Sequence, residues 1–131
     1  MFKNSEAFSS FSVDNIEKAK DFYGNTLGLE IEEYEDMGTL HLKFANGMKV
    51  MVYGKDAGHS PASYTCLNFF VDNIEQAVDQ LTSKGITMEQ YDLPGIKTNE
   101  KGISRWEGGG PAMAWFKDPA GNILAVMEDK H

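Results

Sequence analysis

The chain has one cysteine, Cys66, so no internal disulfide can form. The N-terminal residues Met1 to Glu6 contain no apolar stretch of the secretory kind, and no run approaches the ~18 apolar residues of a membrane span. A reducing, cytoplasmic setting is the expectation. Positive charge is also scarce: 12 Lys and Arg face 20 Asp and Glu, a formal net charge of -8. Such a field repels phosphate backbones and anionic headgroups, which excludes nucleic acid and membrane surfaces as expected partners. The hydrophobic fraction of 41% is too high for a disordered chain. At 131 residues, one domain spanning 1–131 is expected.

An internal repeat gives the organisation. Val13-Asp14-Asn15-Ile16-Glu17 recurs as Val71-Asp72-Asn73-Ile74-Glu75, and Ala19 and Asp21 match Ala77 and Asp79 at the same offset of 58. In each copy an Asp, 14 or 72, is expected to cap a helix, with the Glu three residues on completing a capping box. Ile16, Ala19, Phe22, Tyr23 and Leu27, and then Ile74, Ala77, Val78 and Leu81, keep helical spacing. Gly28 and Gly85 are expected stops. Strands follow at 29–35, 39–45 and 48–53, the last two joined by the hairpin signal Asn46-Gly47. The second copy predicts strands at 64–71, 86–91, 112–117 and 122–127, with Asp118-Pro119-Ala120-Gly121 as a turn. Residues 93–110 form a long Pro/Gly-rich connection of the kind that serves as a lid or stays irregular. The reading is an α+β chain of two β-α-β-β-β modules: module one 7–54, linker 55–63, module two 64–128.

Strand alternation divides the side chains between two faces. Phe11, Val13, Leu40, Leu42, Phe44, Val50, Val52, Leu67, Phe69, Val71, Ala114, Phe116, Leu124 and Val126 are assigned to the helix-covered face. The opposite set is Phe8, Ser10, Ser12, His41, Lys43, Met51, Tyr53, Cys66, Asn68, Phe70, Met113, Trp115, Ala125 and Met127. Its mixture of aromatics, methionines and a few hydrogen-bonding groups is how small-molecule pockets are lined. The competing reading is a face packed against a partner subunit or the other module. That would leave Ser10, Asn68 and His41 dry, at roughly 1 to 3 kcal/mol each if unpaired.

These motifs resemble the vicinal oxygen chelate superfamily, the group of glyoxalase I, bleomycin-resistance proteins, fosfomycin-resistance enzymes and extradiol dioxygenases. The resemblance rests on the repeated Val-Asp-Asn-Ile-Glu, on Phe22-Tyr23 and Leu27-Gly28-Leu29, on Leu81 and Gly85-Ile86, and on Phe116-Lys117-Asp118-Pro119-Ala120-Gly121-Asn122, similar to the family's FxDPxGN signature. It implies mixed sheets forming a partly closed cup with helices outside. It also implies a divalent metal in enzymatic members, held by side chains of each module's first and fourth strands. Those positions fall here on Phe8, Met51, Cys66 and Ala125, none of them His, Asp or Glu. A register error of one residue would substitute Ser9, Val50 or Val52, Leu67, and Leu124 or Val126, which are no better. Met51 and Cys66 suit at most a soft ion such as Cu(I), and sulfur residues are more often packing. No metal and no cofactor are expected.

The expected role is metal-independent binding of a small hydrophobic or aromatic molecule, for sequestration or resistance. Phe8, Phe70, Trp115 and the methionines, Met51 among them, would grip it beside Cys66, with Ser10, Asn68, His41 and Tyr53 orienting it. His41 is the best acid/base candidate. In the long connection, Arg105 and Trp106, with Glu100, Glu107 and Gly108 to Gly110, fit two readings equally: closure on a ligand, with Arg105 reading a carboxylate or phosphate, or a mobile loop whose Trp packs on the partner module. The glycines are not a phosphate loop, lacking the following Lys and Ser/Thr. Two alternatives stand beside this reading. One is a lyase, isomerase or dioxygenase using a metal through His41, Cys66, His59 or Glu107; the other is a partner-binding module. A homodimer is expected, since open sheet edges pair easily.

Overall fold

A computed structural model describes residues 1–106 and 110–129, which fall into two compact units, Met1–Pro61 and Ala62–His131. The first unit runs β1 (Ser9–Val13), α1 (Ile16–Lys20), β2 (Glu30–Tyr34), β3 (Thr39–Lys43) and β4 (Lys49–Gly54). Its sheet has the order β1-β4-β3-β2, with β1 parallel to β4 and the other pairs antiparallel. In the second unit β5 (Thr65–Val71) and α2 (Ile74–Ser83) precede β6 (Asp92–Leu93), β7 (Ile96–Lys97), β8 (Ile103–Ser104), β9 (Met113–Lys117) and β10 (Ile123–Glu128). Its main sheet, β5-β10-β9-β8, repeats the order of the first, with β8 in the place of β2. The repeated β-α-β-β-β reading therefore holds for the two mixed sheets. Among the described residues no helix is long and apolar enough to cross a membrane.

The helix caps lie one residue beyond their expected positions. Asn15 and Asn73, not Asp14 and Asp72, are the N-caps, their side chains accepting from the backbone N–H of Lys18 and Gln76. Glu17 and Glu75 are consequently not third residues of capping boxes. Asn and Asp cap about equally well, so the choice falls to which residue ends the extended segment. Asn15 and Asn73 do so at φ/ψ of -134/111° and -139/110°. In the α2 first turn the N–H of Ile74 also donates to the Glu128 carboxylate at 2.9 Å, a charge suited to a helix N-terminus.

The first helix is not uniform: after Lys20 it widens into a π-turn over Asp21–Thr26. Both Phe22 and Tyr23 are buried there, their rings edge to face at 5.1 Å, with Phe11 at 5.9 Å from Tyr23. Gly28 and Gly85 end the helices as expected, at φ +75° and +86°, where a side chain would be strained.

The predicted strand at 86–91 does not form. In this stretch the Glu89 N–H bonds the β9 backbone, at Trp115 O. The edge is taken by β8, pairing Ile103 with Ala114 and Ser104 with Met113. The long connection is thus partly ordered, and Pro94-Gly95 (Gly95 φ +85°) turns β6 into β7. Pro presets φ at the second position of a turn and Gly supplies the positive φ at the third.

The core follows the strand parity of the sequence. Val13, Leu40, Leu42, Val50, Val52, Leu67, Ala114, Phe116, Leu124 and Val126 are buried, while Phe11, Phe44, Phe69 and Val71 are half-buried. Helix residues Ala19, Ile74 and Val78 join them. Each large apolar side chain buried this way contributes about 1.5–3 kcal/mol.

The Asp118–Asn122 turn between β9 and β10 satisfies its own polar groups. Asp118 Oδ1 accepts from the N–H of Ala120 and Asn122, both at 2.9 Å, and Oδ2 accepts from Asn122 Nδ2 at 3.0 Å. Both residues are buried. The motif's Asp and Asn are therefore structural, and its Gly121 stands at φ +85°.

Candidate functional site

In the first unit the strand registers set side chains of one face into rows. Ser10, Met51, His41 and Glu32 align across β1, β4, β3 and β2, and Ser12, Tyr53, Thr39 and Tyr34 form the next row. Ser10, His41, Met51 and Tyr53 thus share the face opposite the core. Phe8 stands just before β1 with its ring 6.4 Å from His41, and the Tyr34 ring is 4.7 Å from the same imidazole. The Nδ1 of His41 is buried and, among the described residues, has no hydrogen-bond partner.

Two features of this face escape the sequence reading. Glu32 accepts from Tyr34 Oη and pairs with Lys43 Nζ at 2.8 Å. The Lys43 and Tyr34 hydrogen bonds hold the Glu32 carboxyl down at about 2, and Glu32 raises both partners. Alternation in Glu30-Ile31-Glu32-Glu33-Tyr34 was the available signal, but the pairing of Glu32 with His41 needs the hairpin register. The second feature is a 2.7 Å hydrogen bond between Ser12 Oγ and His59 Nδ1. A 3₁₀ turn, Asp56–Gly58, delivers His59 to it, and in that turn Asp56 adopts φ +46°. His59 is therefore held against the sheet rather than loose in the linker.

In the second unit Asn68, Ala125 and Trp115 form one row, and Phe70, Met127, Met113 and Ser104 the next. Phe70 is 72% and Phe8 66% exposed, large apolar surface without cover. Trp115 is only 7% exposed, because Tyr91 packs edge-on against it at 5.5 Å. Cys66 occupies an irregularity: Ile123 pairs with Thr65 and Leu124 with Leu67, leaving Cys66 without a counterpart. Burial, and then the negative charge of Asp118, push its thiol up to about 11.

Arg105 and Trp106 lie away from these rows, directly after β8. Arg105 reaches Glu75 of α2 at 3.3 Å, a carboxylate also held by Lys101 at 3.1 Å. Both Arg105 and Trp106 border a cleft of about 680 Å³ between β6–β7 and β8. Glu100 is exposed, its carbonyl accepting from Gln90. The expected lid residues Glu107, Gly108 and Gly109 lie outside the described residues.

The family's metal positions do not fit a divalent ion. Phe8 and Ala125 carry no donor atom, Met51 offers only a thioether, and the Cys66 thiol stays protonated at neutral pH. Among the described residues no group of three or more His, Cys, Asp or Glu could hold a metal ion. Of the proposed substitutes, His59 bonds Ser12, and Glu107 lies outside the described residues.

The sequence profile of the Glyoxalase/Bleomycin resistance protein/Dioxygenase superfamily matches residues 8–126, and the chain belongs to that family. A member of the same superfamily from Sphaerobacter thermophilus is similar in structure, with TM-score 0.69 and 24% identity over 95% of this chain and 98% of that one. Lactoylglutathione lyase from Agrobacterium tumefaciens gives 0.68 and 20% over 95% and 93%. The fosfomycin resistance protein FosX from Listeria monocytogenes gives 0.71 and 11% over 97% and 94%. A comparison with curated proteins found no match. The family fold is consistent with small-molecule binding, and identities this low carry the fold alone.

Proposed function

We propose that the protein binds a small apolar or aromatic molecule on the helix-free face of its sheets, without a divalent metal, in a sequestering or resistance role. The observation that carries this reading is the His41 environment. Its buried ring nitrogen has no partner among the described residues, and the Phe8 and Tyr34 rings stand 6.4 and 4.7 Å from the imidazole. An unsatisfied buried polar atom costs about 1–3 kcal/mol, and a ligand donor or acceptor reaching it would recover that. The flanking rings suit a flat, apolar body. On the same face of the first unit, exposed Phe8 adds apolar contact surface, and Ser10 and Tyr53 add polar groups that can orient a ligand. The poor donor set at Phe8, Met51, Cys66 and Ala125 supports a role that draws on the fold's binding surface.

Thermal-shift screening with aromatic compounds tests this. A ligand at 100 times its Kd stabilises by about 2.7 kcal/mol, a rise of about 10 °C for a chain of this length. No rise from any chemically diverse aromatic set would refute the proposal.

A further inference from the structure

We propose that the cleft between the β6–β7 hairpin and β8 is a second binding site, one that takes an amphiphilic anion: a carboxylate on an apolar, planar body. The cleft's volume of about 680 Å³ lies within the usual range for small-molecule pockets, about 300–1,000 Å³. Its composition is the informative part. In a chain of net charge -8, the described residues bordering this cleft include two cations, Lys97 and Arg105, and no Asp or Glu. Acidic side chains outnumber basic ones 20 to 12 over the chain, so a recess whose described charged residues are both cations is not what the composition would supply by default. It reads as charge complementarity toward an anion.

The remaining wall is apolar. Leu93, Ile96 and Ile103 border the cleft with Trp106, which is 44% exposed and so offers a ring face for stacking. Apolar wall and cations together favour a ligand with both parts over a bare inorganic ion.

The two cations have different freedom. Lys97 makes no ion pair among the described residues. Arg105 pairs with Glu75, but that carboxylate is also held by Lys101 at 3.1 Å, which itself reaches Asp79 at 3.1 Å. Glu75 therefore keeps a partner when Arg105 turns toward a ligand. Exposed pairs of this kind are weak, about 0–1 kcal/mol, so the exchange is easy. The planar guanidinium then offers a two-pronged fit to carboxylate.

This site is independent of the sheet-face reading, and its test separates the two. The full-length protein is titrated with 2-naphthoate and with its neutral counterpart 2-naphthamide by isothermal titration calorimetry. Naphthoate should bind at least 10-fold more tightly than the amide, and the gap should shrink as salt rises. Lys97→Ala and Arg105→Ala should each weaken naphthoate about 3- to 10-fold while leaving the amide unchanged, and Trp106→Ala should weaken both. All three positions are exposed, and unchanged circular dichroism would verify folding. Equal affinity for acid and amide would overturn the proposal. So would naphthoate binding that ignores these three substitutions but is lost in His41→Ala, which would place the ligand on the sheet face. Binding of inorganic phosphate as tight as that of naphthoate would also overturn it, since the apolar wall would then contribute nothing.

Discussion

Replacing Asp118 by Ala tests whether the Asp118–Asn122 turn is a structural device. The substitution removes three accepted hydrogen bonds, from Ala120 N, Asn122 N and Asn122 Nδ2. Ala120 N–H can turn to water, being only half-buried, whereas Asn122 is 3% exposed and its two donors stay dry. At about 1–3 kcal/mol for each stranded donor, the loss is on the order of 3 kcal/mol. For a unit the size of residues 62–131, about 4–8 °C is lost per kcal/mol, so Tm should fall by roughly 12 °C or more. Asp118→Asn keeps one acceptor oxygen and should lose about half as much. Circular dichroism melts of the three proteins measure this. A Tm for Asp118→Ala within about 2 °C of the native value would refute the reasoning. The Asn variant carries a second readout: with the carboxylate charge gone, the Cys66 thiol should titrate lower, though still above its usual value because burial is the larger cause.

Other expectations follow from the same geometry. Asn73→Ala should cost about 1 kcal/mol by removing the α2 cap, while Asp72→Ala should change stability by less than about 0.5 kcal/mol, as urea denaturation will measure. Cys66, with its thiol up at about 11, should react slowly with iodoacetamide at pH 7.5 and faster by about tenfold per pH unit toward that value; a rate plateau near pH 8.5 would contradict the burial argument. Glu32 is held below its unfolded value, so the stability it contributes is fully present above the ordinary carboxylate range and is lost progressively as pH falls from that range through about 2. Its carboxyl carbon, followed by NMR, should titrate near 2 and move up in Lys43→Ala; a midpoint near 4 in the native protein would show that the Lys43 and Tyr34 contacts do not persist in solution.

What the sequence disclosed depended on how local the determinant was. The duplication, the element order of the first module and the buried strand faces were legible because period-2 alternation and the repeated Val-Asp-Asn-Ile-Glu act over a few residues. The cap was missed by one position because Asp14-Asn15 and Asp72-Asn73 each offer two good capping side chains, and only the backbone path chooses between them. The strand expected at 86–91 failed because Ile103–Ser104, distant in sequence, takes part of the β9 edge. Local alternation carries no information about that competitor. On the candidate site, His41, Ser10, Met51 and Tyr53 share a face as parity required. The Glu32–Lys43–Tyr34 cluster and the Ser12–His59 bond were invisible, the first needing the hairpin register and the second a turn with Asp56 at positive φ.

The central claim is that ligand binding on the helix-free sheet face needs His41 and its aromatic neighbours but no divalent ion. Calorimetric titration of the best thermal-shift ligand, into protein before and after exhaustive chelation and into His41→Ala, tests it most directly. The first two samples should share one affinity, and the variant should lose about tenfold, from one hydrogen bond worth about 1.4 kcal/mol. Binding that vanishes on chelation and returns with added zinc or manganese would contradict it.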